Sequence, residues 1–230
     1  MQGSHHSARS RSDPVLVFEQ VSKRYPGDRT ALDGVTFHIR RGEFVFLTGR
    51  SGAGKSTLLR LVAMLERPTR GRLLIDGVDL GLLRRHHVPL HRRRVGMVFQ
   101  DHRLLMDRSV FENVALPLRV SGSPRRDSER RVRAALDRVG LLGMELNRPF
   151  ELSGGEQQRV GIARAIVHKP PLILADEPTG NLDPELSLDI MRLFERLNQV
   201  GVTLLVASHD VSLVRRMQHR VLQLEEGRVE

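Results

Sequence analysis

From Val15 onward the chain alternates short runs rich in β-branched and aromatic residues with longer stretches whose apolar positions recur every three or four residues. The runs VLVFEQ (15–20), VTFHI (35–39), EFVFLT (43–48), RLLID (72–76), VGMVFQ (95–100), PLILAD (171–176), VTLLVAS (202–208) and RVLQLEEG (220–227) predict strands. Three of them, EFVFLT, LILAD and TLLVAS, are almost continuously apolar, as in strands buried on both faces of a parallel sheet. STLLRLVAMLE (56–66) predicts a helix with Leu58, Leu59, Leu61, Val62 and Leu65 on its apolar face. DSERRVRAALDRVG (127–140), GEQQRVGIARAIVHK (155–169) and PELSLDIMRLFERLNQVG (184–201) predict three more; the last opens on proline and stops at glycine. Such alternation implies an α/β sheet with helices on both faces. Residues 101–169 offer helices but no good strand and read as a helical insertion. The polar stretch 1–13, with adjacent His5 and His6, reads as a disordered tail, leaving one domain over 14–230 with its core in 14–100 and 170–230.

Composition removes several classes. With no cysteine among 230 residues, disulfides, thiolate metal sites and cysteine nucleophiles are excluded. No apolar run reaches the ~18–20 residues of a membrane-spanning helix, so a soluble, intracellular protein is expected. Charge is less decisive. Thirty-seven Lys and Arg stand against 27 Asp and Glu, and only Lys23, Lys55 and Lys169 are lysines. A net charge of +10 suggests nucleic acid or an anionic membrane, but one Tyr and no Trp argue against a stacking platform for single strands. Within the acid-free stretch 80–100 lie Arg84, Arg85, Arg92, Arg93 and Arg94, which suit either anionic headgroups or a solvated face.

The sharpest chemical signal is GRSGAGKST, residues 49–57, placed between a strand and a helix. Gly49, Gly52 and Gly54 allow the backbone to curl so that successive N–H groups point into one cavity, and the helix beginning near Ser56 adds the positive end of its dipole. Arg50, Ser51, Ala53 and Thr57 complete the loop. Lys55 supplies an ammonium for the β- and γ-phosphates, and the Ser56 hydroxyl can ligate Mg²⁺. LILADE then ends a buried strand in two acids: Asp176 to hold Mg²⁺ and Glu177 to polarise water. ATP and Mg²⁺ are the expected ligands.

The string LSGGEQQ (152–158) resembles the signature of the ATP-binding cassette (ABC) ATPases. That resemblance covers nearly the whole chain from about Val15 to Gly227. It implies a phosphate-loop NTPase fold: a mostly parallel core sheet, an antiparallel β subdomain and a helical subdomain. It also implies a head-to-tail homodimer in which Ser153, Gly154 and Gly155 of one chain face the glycine loop of the other across ATP. By the same resemblance Gln100 touches Mg²⁺ and senses a membrane partner, Asp183 in Asn181-Leu182-Asp183 crosses the dimer interface, and His209 contacts the γ-phosphate. Tyr25 matches the aromatic that stacks on adenine, with a purely structural tyrosine the alternative.

LADEPTGNLD (174–183) resembles the branch of the family that serves lipoprotein release, macrolide-type efflux and cell division. FQDHRLLMDRSVFENVALPL (99–118) points within it to cell division, where the ATPase binds the integral membrane protein FtsX at the cytoplasmic face of the membrane. The remaining alternatives are a related lipoprotein-release or efflux permease and, remotely, a soluble ATPase acting on nucleic acid. Leu104, Leu105, Met106, Val110 and Phe111 follow Gln100 in what reads as a surface loop, either a docking groove for the partner or ordinary core.

Overall fold

A computed structural model describes residues 14–27 and 29–230; the expected tail 1–13, with His5 and His6, lies outside the described residues. Two sheets organise the described residues. The core sheet has the order β10-β9-β3-β8-β7-β6. Its strands are β3 (Phe44–Thr48), β6 (Val95–Val98), β7 (Leu172–Asp176), β8 (Thr203–Ala207), β9 (Arg220–Glu225) and β10 (Arg228–Val229). All its pairings are parallel except β9 with the edge strand β10. The second sheet, order β2-β1-β4-β5, is antiparallel and consists of β1 (Pro14–Arg24), β2 (Thr30–Arg40), β4 (Arg70–Ile75) and β5 (Val78–Asp79).

The pleat explains why the central strands carry no polar alternation. Successive side chains point to opposite faces, and both faces are covered. Phe44, Phe46, Ile173, Leu204 and Val206 enter one apolar cluster, while Val45, Leu47, Leu172, Leu174 and Leu205 enter the other. The second cluster also takes Leu58, Leu59, Leu61 and Val62 of α1 (Lys55–Val62) and Phe18 and Ile39 of the antiparallel sheet. Asp76, just beyond β4, accepts from both Arg41 and Arg94 and so ties the antiparallel sheet to the approach to β6.

Between β6 and β7 lie α3 (Val110–Val120), α4 (Arg125–Arg138) and α5 (Gly154–Ile166); α2 (Val88–Arg92) precedes them, and α6 (Pro184–Gln199) and α7 (Val211–Met217) follow. Several expectations need correction. The first predicted helix ends at Val62, not residue 66, and Leu65 is 46% exposed rather than part of the apolar face. β6 stops at Val98, so Gln100 sits in a turn rather than at the strand end. The 104–111 segment is not a uniform surface loop. Val110 begins α3 and is fully buried, Leu104 and Phe111 pack against the core, and only Leu105 and Met106 are exposed. Their placement follows from buried Asn113, whose amide donates to the carbonyls of Leu105, Arg108 and Ser109 and accepts from the Leu105 N–H.

Candidate active site

Three parallel strands deliver the predicted chemistry to one end of the core sheet. β3 leads into the glycine loop, β7 ends at Asp176 and Glu177, and β8 leads to Ser208 and His209. At Gly49 and Gly54 the loop is shaped by backbone contacts that leave no room for a side chain. Gly49 has φ of 146°, and a Cβ there would stand 2.2 Å from the Leu224 carbonyl oxygen. Gly54, at φ 111°, would meet the Ala31 oxygen at 2.4 Å. Gly54 caps α1 with no side-chain hydrogen bond, so the N–H groups of Lys55, Ser56 and Thr57 remain at the helix start without intrahelical acceptors. That is an anion-binding helix terminus.

Lys55 is 6% exposed, and its ammonium donates to the Gly49 oxygen at 2.7 Å and the Arg50 oxygen at 3.3 Å. It also lies 3.6 Å from Glu177 Oε1. The other oxygen of that carboxylate, Oε2, is 2.9 Å from His209 Nδ1. Glu177 therefore bridges the loop lysine and the histidine that follows β8. Its backbone adopts φ of 47°, in the left-handed region, held by its N–H on the Ala207 oxygen at 3.0 Å and by the Gly180 N–H on its own oxygen at 3.1 Å. The Ser56 hydroxyl donates to Asp176 Oδ1 at 3.2 Å. Burial, and secondarily the neighbouring Glu177 carboxylate, push the Asp176 carboxyl above the usual range, against the pull of the Ser56 bond.

The other predicted residues lie around this centre at varying distance. Tyr25 follows β1; its hydroxyl donates to Glu66 Oε2 at 2.6 Å and stands 3.4 Å from Thr57 Oγ1. Glu66 also meets Lys23 at 3.2 Å, a partner that no local pattern marks because the contact spans distant segments. The Gln100 amide nitrogen would lie 3.0 Å from a Cβ on Gly180, so Gln100 leans on the segment after Glu177. Asp183 caps α6, accepting from the N–H groups of Glu185 and Leu186 at 3.0 and 2.9 Å. Ser153 caps α5 in a reciprocal arrangement with Glu156, and its hydroxyl also donates to that carboxylate at 2.7 Å. Gly155 is packed against Leu186 and Gly154 near Leu182. Among the described residues no hydrogen bond or ion pair joins 153–155 to the glycine loop.

A cavity of about 170 Å³ opens over Glu177, Thr179, Gly180, Ser208 and His209. A larger one of about 890 Å³ flanks the loop at Arg50, Ser51, Gly52 and Ala53, between Arg24 and Arg228. Lys55 and Glu177 do not line it, so the smaller cavity is the one beside the chemistry. No cluster of three His, Asp or Glu among the described residues could hold a metal ion by itself. Ser56 and Asp176 offer two oxygen ligands, which fits a hard divalent cation shared with a phosphate.

A buried lysine and free helix N–H groups at the end of a parallel strand, facing a strand-end carboxylate pair, define a phosphate-loop nucleotide-binding protein. A model of the ABC transporter family matches residues 32–180. The chain belongs to that family. Over 213 residues it is 58% identical to the cell division ATP-binding protein FtsE of Escherichia coli K12, covering 93% of this chain and 96% of the relative. The FtsE of Streptococcus pneumoniae D39 is 46% identical over 215 residues, with 94% of each chain covered. Among solved structures, a dimeric post-hydrolysis state of the ATP-binding cassette MJ0796 bound to ADP and Pi superposes with a TM-score of 0.84. Its identity is 37%, and the match covers 94% of this chain and 96% of that one. CbiO1 from Clostridium perfringens, part of the ABC transporter complex cbiONQ, gives 0.87 at 32% identity, covering 95% and 88%.

Proposed function

We propose that this chain is the ATP-hydrolysing subunit of an ABC complex in cell division, converting ATP and water to ADP and phosphate. The observation that carries the chemistry is the bridge from Lys55 through Glu177 to His209, beside the Ser56–Asp176 pair. The biological setting is supported by the identity to FtsE proteins over nearly the full chain.

The loop and the start of α1 bind the phosphates through N–H groups, with Lys55 leaving Glu177 for the β- and γ-phosphates. Glu177, still held by His209, accepts a proton from the water that attacks in line with the leaving oxygen. His209 keeps that carboxylate aimed and, in this reading, contacts the γ-phosphate. Ser56 and Asp176, with Gln100 adjoining, would hold Mg²⁺, which would supply charge neutralisation at the phosphate oxygens. Tyr25, next to Thr57, gives a ring for the adenine.

Ser153, Gly154 and Gly155 complete the site from a second copy of the chain, with Asp183 and its neighbours near the seam. This head-to-tail homodimer is supported by the separation of 153–155 from the chain's own loop and by the dimeric form of MJ0796. Ser153 then exchanges its bond to Glu156 for the nucleotide. The partner is an integral membrane protein, FtsX or a related permease, with the ATPase peripheral at the cytoplasmic face. No helix among the described residues is long and apolar enough to cross a membrane, so anchoring falls to the partner.

Phosphate release by the wild type and Glu177→Gln tests the enzyme, and a membrane pull-down with Glu177→Gln and ATP tests the partner. Equal turnover in the two proteins removes the assigned base. Recovery of a lipoprotein-release or efflux permease instead of FtsX removes the cell-division assignment.

A further inference from the structure

A second concentration of positive charge lies away from the nucleotide loop. α4 and the end of α5 enclose a cavity of about 340 Å³ lined by Arg130, Arg131, Arg138 and Lys169 over a floor that includes Ile166 and Val167. One carboxylate answers this group. Asp127 receives Arg130 at 2.8 Å and Arg131 at 2.7 Å. Among the described residues Arg138 and Lys169 have no carboxylate partner, and neither has Arg93 close by. Like charges drawn to one concave surface repel one another, and an anion seated among them relieves that repulsion.

Two further observations point the same way. Lys169 adopts φ of 54°, a left-handed conformation at the end of α5 where glycine or asparagine would sit without strain. That backbone leaves Lys169 on the cavity wall. The adjacent His168 has a buried Nε2 with no hydrogen-bond partner. Burial first, then the charges of Arg131 and Arg93, hold its imidazole below the ordinary histidine range, against a bond to the Pro117 carbonyl. His168 does not line the cavity, but the charge of Arg131, which does, reaches its ring.

We propose that this cavity is a phosphate-binding site separate from the glycine loop, in which Arg131, Arg138 and Lys169 hold a polyvalent phosphate anion. Guanidinium forks match phosphate oxygens in pairs, and Lys169 adds a point charge. The phosphate can belong to a soluble anion or to a phospholipid headgroup. This site does not rest on the ATPase reading, and its test does not read ATP hydrolysis.

The probe is pyrophosphate, followed by NMR at the His168 ring proton, which is assigned by its loss in His168→Gln. Pyrophosphate is expected to move that signal with a dissociation constant below about 1 mM and to raise the pH at which His168 titrates. The double variant Arg138→Gln/Lys169→Gln, which preserves size and polarity, weakens this at least about tenfold while ATP still binds the loop. A second arm measures retention on vesicles of phosphatidylglycerol and phosphatidylcholine against phosphatidylcholine alone. Loss of anionic-vesicle retention in the double variant assigns the site to a headgroup; a pyrophosphate response without it assigns a soluble phosphate. If neither the His168 response nor vesicle retention depends on Arg138 and Lys169, the proposal is wrong.

Discussion

The ammonium of Lys55 stands 3.6 Å from a carboxylate oxygen of Glu177, although the two lie on different strand–loop junctions. A phosphate entering the loop competes with Glu177 for that ammonium. Transfer of Lys55 to the phosphates leaves Glu177 paired with His209 alone, at 2.9 Å. In the proposed reaction, phosphate binding and the release of Glu177 from Lys55 are therefore parts of one event. This arrangement keeps Glu177, the proposed base, paired with Lys55 until a phosphate reaches the loop.

Replacing Glu177 by Gln tests this. The amide cannot accept the proton of the attacking water, so turnover should fall by about 10²–10⁴-fold. ATP affinity should be kept or rise, because Lys55 loses its competing carboxylate. Phosphate release and equilibrium nucleotide binding measure the two effects separately. A matched loss of both binding and turnover would mean that Glu177 shapes the loop rather than serving as base.

The glycine positions separate by what surrounds them. Gly49→Ala and Gly54→Ala each drive a Cβ to within 2.4 Å of a carbonyl oxygen in a left-handed backbone, so each should cost about 1–3 kcal/mol and abolish ATP binding. At Gly52 a Cβ meets nothing within 4 Å, although φ is 82°. Gly52→Ala should lose only the conformational preference, about 1 kcal/mol, and retain the thermal shift on adding ATP. Thermal unfolding with and without nucleotide distinguishes the three.

The strand ends were legible because their chemistry is local: GRSGAGKST, LADE and the histidine after LVAS are contiguous strings at the ends of apolar runs. α3 was not legible for a physical reason. Pro117 lies inside it, and buried Asn113 occupies a position that looks polar and solvated. Its start was nevertheless encoded, since Ser109 and Glu112 form a reciprocal cap at the spacing expected of one. The Tyr25–Glu66 bond and the bridge from Lys55 to Glu177 depend on tertiary placement, which no local window contains. Short α7 is fixed by its Asp210 cap and by burial of Leu213, Val214 and Met217 rather than by a long periodic run.

The segment after Gln100 can now be divided. Leu105 is 41% and Met106 50% exposed, whereas Val110 is fully buried. Leu105→Glu and Met106→Glu should change stability by no more than about 0.5 kcal/mol yet abolish co-purification with the membrane partner. Val110→Glu places an unpaired charge in the core and should unfold the helical region. Partner binding that survives both exposed changes would remove this segment from the docking surface.

His91 links stability to pH. It lies on α2, is buried, and its Nε2 is 2.9 Å from the Val62 carbonyl oxygen, so the neutral ring donates there. Burial first, helped by Arg94 and Arg92, lowers its pKa from the ordinary value of 6.5, against the pull of the Val62 bond. Between the folded pKa and 6.5 the unfolded chain therefore binds more protons than the folded one. The stability from neutral His91 is complete above 6.5, falls as pH drops through that window, and is flat below the folded pKa. One such proton gives a slope of at most about 1.4 kcal/mol per pH unit, or ~3–6 °C in Tm per pH unit for a chain of this size. His91→Gln keeps an amide donor for Val62 and cannot titrate there. Its Tm should fall less steeply between pH 7 and pH 5.5 than that of the wild type, with the remaining slope including His168, which is lowered by burial in the same sense. Parallel Tm curves for the two proteins would show that His91 does not charge in the unfolded chain alone.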